Sequence, residues 1–584
     1  MKARSELKNL RFTLKGISAA PGLAQGPVII YRQKKLDVPR QYGYDVNKER
    51  PRLQEAIQRS QLELAGLRDQ LVSEDHPSEA MVFDAHILML EDASLHSRVD
   101  ESLVAGLNAE AAWMDGIVFF AGQLESIPDA TLQARAADLR DAGRRVLAHL
   151  LGEDFEIALV IHQPSIVVAK DLAPSETASI DKNMVLAFCT AGGGPTSHTA
   201  ILAKALGIPA VVGMGNAILN LQDGAPLLVD GGLGEVIAFP GEQDLSLFNL
   251  RLQKARNVSD LELACSSDPA ITIDGHRVEV VANVGNPQDA LVALQHGAEG
   301  IGLLRTEFLF LERQTAPTEE EQQRAYRQIL DSMPSCPVVV RTIDVGGDKE
   351  IPYLDLGHED NPFLGWRAIR MCLDQPEFFK VQLRALLRAS PGSDLRIMFP
   401  MIASLDELRC AKKLLREAQE EVLQSGGQIA DSIQVGIMVE IPSVVILAEQ
   451  FAKEVDFFSI GTNDLTQYTM AAERTNPKVA HLADACHPAI LRLIQMVISA
   501  GHSAGIWVGV CGELAGDQDA IPILLGMGLD EFSMAPRSIS HAKVIIRQWS
   551  YQTAQQLARQ VVNFESADAV RQLVRSQSFD LGIS

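Results

Sequence analysis

At 584 residues the chain is too long for one hydrophobic core, and its 47% hydrophobic content is enough to build several. Aromatics make up 5% against 43 glycines, which speaks against an aromatic-rich all-β protein and for α/β units with tight strand-to-helix turns. A net charge of -23 repels nucleic acid and anionic membranes and favours a basic protein partner, so any small anionic substrate must be held by a local arginine cluster. The seven cysteines (189, 265, 336, 372, 410, 486, 511) form no CxxC pair, which points to reduced thiols in the cytoplasm. MKARSELKNLRF has no apolar signal core and no apolar run approaches ~18 residues, so neither export nor a membrane span is expected.

In chain order, FTLKGISAAPGLAQGPVIIY predicts two short strands with glycine turns. From about Asn47 to Leu151 the chain turns helical and polar, with Leu53, Ile57, Leu64, Leu67 and Leu71 on one stripe. The stripe ends at HPSE before a coiled coil is established, so a helical bundle is expected. Strand-like runs return in SIVVAK, NMVLAFC, AVVGM, PLLVDG and GEVIAF, which makes the helical segment an insertion into one small α/β domain. A polar helical stretch, Gln243 to Leu263, reads as a linker.

From about Asp274 eight strand candidates follow: VEVVANV, GIGLL, PVVVRTID, LRIMFPM, QVGIMVE, DFFSIG, IWVGV and EFSMA. Helical patterns such as SLDELRCAKKLLREAQEEVL separate most of them. This rhythm predicts a TIM barrel with reactive residues just past the strand ends; an open doubly wound sheet is the competing arrangement.

GGGPTSHTAILAKALG places His198 on a glycine-rich turn that leads into a helix. Such a turn offers backbone N–H groups to a phosphate, and a neutral imidazole can accept a phosphoryl group and pass it on. Thr196, Ser197 and Thr199 are placed to donate hydroxyl hydrogen bonds to the anion. A histidine in such a turn also serves elsewhere as a cap or a metal ligand, and no second ligand stands at metal spacing here.

GGGPTSHTAILAKALGIPAVVG resembles the phosphohistidine loop of the phosphoenolpyruvate-utilising enzymes. With DLAPSET, GISAAPG and FDAHILMLEDASL the resemblance narrows to the enzyme I family of the bacterial sugar phosphotransferase system, and it covers essentially the whole chain. It implies a multidomain α/β protein: a swivelling β/α phosphohistidine domain (1–30 plus 152–240) with an inserted helical bundle (31–151), a linker (241–267) and a C-terminal (β/α)8 TIM barrel (268–584). It also implies a homodimer formed by the barrel, Mg2+, and the phosphocarrier protein HPr, or an HPr-like protein, as the partner docked by the insert.

Phosphoenolpyruvate carries a phosphate and a carboxylate, so a site for it wants several guanidinium groups and a divalent metal. Arg305 follows GIGLL, Arg341 closes PVVVR, Arg367 lies in NPFLGWR and Arg474 in AAERTNP. Glu440 closes QVGIMVE and Asn463-Asp464 follow DFFSIG; carboxylates at successive strand ends converge in a barrel and suit a hard cation. The resemblance implies that Arg305, Arg341, Asn463 and Arg474 hold phosphoenolpyruvate, with Arg367 as a further pocket residue. It implies that Glu440 and Asp464 bind magnesium and that Cys511, in WVGVCGELAGD, donates the proton that converts enolpyruvate to pyruvate. Glu513 is expected to orient or relay protons or to pack, and His502 to pack.

Phosphoenolpyruvate synthase and pyruvate phosphate dikinase share the loop and the barrel, but they need a nucleotide-binding region that the polar helical insert does not provide. The nitrogen-related branch of the family is a nearer alternative, distinguished by an extra sensory domain in front. A non-catalytic scaffold that docks the carrier would need none of His198, Arg305, Arg341, Glu440, Asp464, Arg474 or Cys511.

Overall fold

The computed structural model describes residues 11–32, 36–73, 77–126, 130–152, 161, 163–172, 184–194, 197, 199–200, 203–204, 207–311, 313, 315–346, 353, 359–474, 476 and 479–580. The chain divides into two units, 1–255 and 256–584.

The first unit is built on a mixed eight-stranded sheet ordered β1-β8-β7-β3-β4-β5-β6-β2. Its strands are β1 (Phe12–Lys15), β2 (Ile17–Ala20), β3 (Leu23–Ile30), β4 (Ser165–Ala169), β5 (Val185–Thr190), β6 (Ala210–Val212), β7 (Pro226–Asp230) and β8 (Glu235–Ala238). Alternation along β4 sends Ile166 and Val168 into one core and Val167 and Ala169 into another, so the middle of the sheet is covered on both faces. The N-terminal stretch forms three strands, where the glycine pattern predicts two. Gly16 separates β1, which pairs with β8, from β2, which pairs with β6 at the far edge. A Cβ at Gly16 would stand 2.7 Å from Met214 and Val211, so the crossing needs glycine there.

Between β3 and β4 the chain forms α1 (Val46–Ser73), α2 (Pro77–Leu90), α3 (Ala93–Val104), α4 (Ala109–Ser126) and α5 (Ala130–Leu151). Leu53, Ile57 and Leu64 of the α1 stripe are buried with Phe83 and Trp113, whose indole donates to Gly143 O at 2.9 Å. The insert is therefore a bundle with a core of its own. A long helix, α6 (Glu242–Ala264), occupies the polar stretch expected to link the domains, and the division between the units falls within it.

The second unit closes a barrel from β10 (Arg277–Val284), β11 (Ile301–Leu304), β12 (Pro337–Arg341), β13 (Asp394–Phe399), β14 (Gln434–Val439), β15 (Phe457–Ile460), β16 (Trp507–Val510) and β17 (Glu531–Met534). Each pairs in parallel with the next, and β17 pairs with β10 in the register Glu279↔Glu531, which removes both edges. A short β9 (Ala270–Ile271) adds an antiparallel hairpin to β10 that the strand rhythm does not reveal. Leu303, Val339, Met398, Met438 and Phe457 pack together with Cys511 inside the barrel, and a larger apolar shell lies between the strands and the surrounding helices. The predicted helix after β13 begins at Ser404, whose hydroxyl caps Glu407 N–H while Glu407 returns a carboxylate to Ser404 N–H. Among the described residues no helix is long and apolar enough to cross a membrane.

Candidate active site

Because the barrel interior is packed, chemistry is confined to the residues beyond the C-terminal strand ends. There a cavity of about 340 Å³ is lined by Arg305, Arg341, Arg367, Glu440, Asn463, Asp464, Arg474 and Cys511, so every site residue expected in the barrel opens onto one pocket. Arg305 and Cys511 each stand one residue past a strand, β11 and β16, and Glu440 stands one past β14.

The guanidinium groups are anchored to different degrees. Arg341, buried, donates through Nη2 to Glu307 Oε1 at 2.7 Å, and its Nη1 lies 2.9 Å from Asp344 Oδ2. Arg367 donates through Nη2 to Asp344 Oδ1 at 2.9 Å and Oδ2 at 3.1 Å, and through Nη1 to the Tyr468 hydroxyl at 3.3 Å. Burial works against both charges, but the surrounding carboxylates outweigh it and hold both well above the ordinary arginine range. Arg305 is exposed and has no carboxylate partner among the described residues, and Arg474 Nη1 lies 3.7 Å from Asp464 Oδ1. Two arginines are thus locked in place and two remain able to meet an anion.

Close backbone approach shapes this wall. Gly346 has φ 106°, and a Cβ there would stand 2.5 Å from Arg367 Cβ. Of the five non-glycine residues with left-handed backbone among the described residues, two adjoin site residues directly: Ala368 (φ 52°), directly after Arg367, and Met401 (φ 55°), whose N–H donates to Glu440 Oε1 at 2.6 Å. Strained backbone of this kind is retained where the surrounding structure over-determines it.

Glu440 and Asp464 suit a hard divalent cation. Asp464 Oδ1 is buried with no hydrogen-bond partner among the described residues. Burial, then the neighbouring charges of Asp464 and Asp344, pushes the Glu440 carboxyl well above the usual range, a crowding that a cation would relieve. Among the described residues no group of three or more His, Cys, Asp and Glu forms a metal cage, so the two carboxylates would supply part of a shell, as is usual for Mg2+.

Cys511 is 4% exposed, and its thiol lies 3.7 Å from Ile460 O. Burial lifts it to about 11, outweighing a lowering influence of the nearby Ser459 hydroxyl, so it stays protonated at neutral pH. Asn283 Nδ2 donates to Cys511 O at 3.0 Å and Asn463 Oδ1 accepts Glu513 N–H at 3.3 Å, which ties the segment after β16 to β10 and β15.

His198 lies outside the described residues, as do Pro195 and Thr196. Beside it, Gly193 is left-handed (φ 82°) and Ser197 Oγ accepts Ala200 N–H at 3.4 Å. Thr199 is fully buried, its hydroxyl without a partner among the described residues. His502 is not packed away: its side chain is 43% exposed and its Nε2 meets Asp530 Oδ2 at 2.8 Å. Asp344, which organises two arginines from three residues past β12, and Glu307, two past Arg305, are site residues that no sequence motif singles out. Their only signal is their placement within PVVVRTID and LLRTEFL.

Three families of PEP-utilising enzymes match along the chain: the N-terminal domain at 15–135, the mobile domain at 161–234 and the PEP-binding domain at 260–551. A phosphoenolpyruvate-protein phosphotransferase of Priestia megaterium is 44% identical over 570 residues, covering 97% of this chain and 99% of that protein. The chain belongs to the phosphoenolpyruvate-protein phosphotransferase family. The family member of Bacillus subtilis (strain 168) is 45% identical over 564 residues, covering 96% of this chain and 99% of its own. Among solved structures, an NMR solution structure of an Enzyme I protein aligns at 34% identity with a TM-score of 0.36, covering 42% of this chain and 99% of that one. Family membership makes the chain an enzyme and places its barrel pocket in the domain described as PEP-binding.

Proposed function

We propose that the chain takes the phosphoryl group of phosphoenolpyruvate onto His198 and hands it to a histidine of HPr or an HPr-like carrier, the first step of sugar uptake by the phosphotransferase system. The observation that carries the barrel half is the convergence of four arginines with Glu440, Asp464 and Cys511 on one small cavity.

In this reading Arg305 and Arg474 close on the anion while Arg341 and Arg367 present fixed guanidinium edges, and Asn463 donates an amide hydrogen bond. With Glu440 ionised, as it would be when ligating a cation, the four arginines face four carboxylates, Asp344, Glu440, Asp464 and Glu513, and the pocket has no surplus of positive charge of its own. Mg2+ held by Glu440 and Asp464 would supply that surplus and neutralise phosphate charge. The bond between phosphorus and the enol oxygen breaks as a ring nitrogen of His198 takes the phosphoryl group. Cys511 gives its thiol proton to C3 of the enolate, releasing pyruvate, and the thiolate regains a proton from solvent. The P–N bond at His198 then breaks as the carrier histidine accepts the group.

The domain assignment follows: 1–30 with 152–240 carries His198, 31–151 docks the carrier, 241–267 links, and 268–584 binds phosphoenolpyruvate and dimerises. Support for docking comes from the insert, where Leu88, Val118 and Phe119 are exposed, and where α2 to α5 enclose a largely apolar groove of about 580 Å³. The test is incubation of the full chain with phosphoenolpyruvate and Mg2+. An acid-labile adduct on His198, absent in His198→Ala, is expected; an unchanged mass would overturn the reading.

A further inference from the structure

The last helix, Ala567–Asp580, follows every barrel strand, yet its Arg571 reaches two segments that carry the pocket. Arg571 Nη1 donates to Asp517 Oδ2 at 2.7 Å and to Asp519 Oδ2 at 3.4 Å. Its Nη2 and Nε donate to the two oxygens of Asp484 at 3.1 and 3.3 Å. Arg575 reinforces the contact by donating to Asp519 Oδ2 at 2.8 Å.

Asp484 belongs to the segment after β15 that carries Asn463, Asp464 and Arg474. Asp517 and Asp519 belong to the segment after β16 that carries Cys511 and Glu513. A cavity of about 500 Å³ separates the two, lined by Arg571, Asp484 and Asp517 together with Asn463, Arg474 and Glu513, and the last three also line the substrate pocket. Without the guanidinium, three carboxylates drawn from two segments would repel one another across that cavity. With it, their repulsion becomes a clamp, and the forked donor geometry fixes direction as well as distance.

We infer that Arg571 is a positioning residue for phosphotransfer: it holds the Arg474 segment and the Cys511 segment at the spacing where anion clamp and proton donor serve one bound molecule. The inference rests on the reading of this pocket as the phosphoenolpyruvate site. Arg305, Arg341 and Arg367 are not tethered to Arg571, so binding is expected to survive better than turnover when the clamp is lost.

The experiment uses the full chain with phosphoenolpyruvate, Mg2+ and an HPr carrier, comparing Arg571→Gln with Arg571→Lys well below the melting temperature of each. Arg571→Gln should lower kcat for pyruvate release about tenfold while KM rises about threefold or less, since a displacement of ~1 Å costs up to about a hundredfold in rate. Arg571→Lys keeps the charge but not the fork, and should recover part of the lost kcat. Back-transfer from phosphorylated carrier to His198 does not use the barrel pocket and should be unchanged. If Arg571→Gln does not fold, Asp484→Asn severs one arm only and should show the same split between kcat and KM. A variant that melts lower but keeps wild-type kcat and KM would make Arg571 a fastening of the last helix and overturn the inference. Failure of the wild-type chain to release pyruvate would instead overturn the reading of the pocket.

Discussion

The Arg367 guanidinium holds both carboxylate oxygens of Asp344, at 2.9 and 3.1 Å, while Asp344 also lies 2.9 Å from Arg341. One buried carboxylate therefore fixes the angle between two guanidinium groups. Asp344→Asn leaves both cations short of a counter-charge, and breaking a buried pair from one side costs about 3 kcal/mol or more. Denaturant unfolding should show a loss of that order, with kcat for pyruvate release falling while KM changes little. Wild-type stability in Asp344→Asn would show that Glu307 and Asp464 suffice to hold the arginines.

Chelation should stop pyruvate release, and added Mg2+ should restore it. Asp464→Asn removes one charge from the carboxylate pair, so the Mg2+ needed for half-maximal rate should rise about tenfold or more. Mn2+ binding followed by electron paramagnetic resonance gives a reading independent of turnover. Equal Mn2+ affinity in wild type and Asp464→Asn would remove Asp464 from the metal site.

Cys511, buried and lifted to about 11, should resist maleimide while the exposed Cys265 and Cys410 react. As a proton donor it is competent while protonated and loses that form only as pH rises through its own value. Pyruvate release should therefore not fall through about pH 8.5, where an ordinary thiol ionises. Cys511→Ser should slow release about a hundredfold without affecting back-transfer from the carrier to His198. An alkaline fall near that of a free thiol would count against Cys511 as the donor.

At the opposite end of the barrel, burial lifts the Glu531 carboxyl from 4.5 to about 8, against Arg396 and with help from Glu279 and Asp530. Between those values the native state keeps a proton that the unfolded chain has lost. Stability from this group is therefore full below about pH 4.5 and falls by about 1.4 kcal/mol per pH unit until it levels near 8. Glu531→Gln has no proton to lose, so it should melt several degrees above wild type at pH 8 and alike at pH 4.5. A parallel pH dependence in the two proteins would show that Glu531 ionises normally.

The insert, the return of strands and the barrel rhythm were legible in the sequence because each depends on local periodicity: 3.6 residues in the stripe of Leu53, Ile57 and Leu64, short apolar runs at β10 to β17. Glycines mark turns but do not choose pairing partners, so the chain crossing at Gly16, and with it the third N-terminal strand, was not. Cys511 and Glu440 could be named as strand-end residues, and the family resemblance supplied their roles.

Which residue types stand just beyond which strands could be read from the chain alone, since that follows from neighbours a few positions apart. That residues as distant as Arg305 and Cys511 share one pocket emerges from the folded barrel, because closing β17 onto β10 brings all the strand ends round a single axis. The tertiary structure alone shows that Asp344 locks two of the four arginines, and that Arg571 joins the segments after β15 and β16. A charged side chain chooses its partner by distance in space after folding, and nothing in its local sequence records that distance.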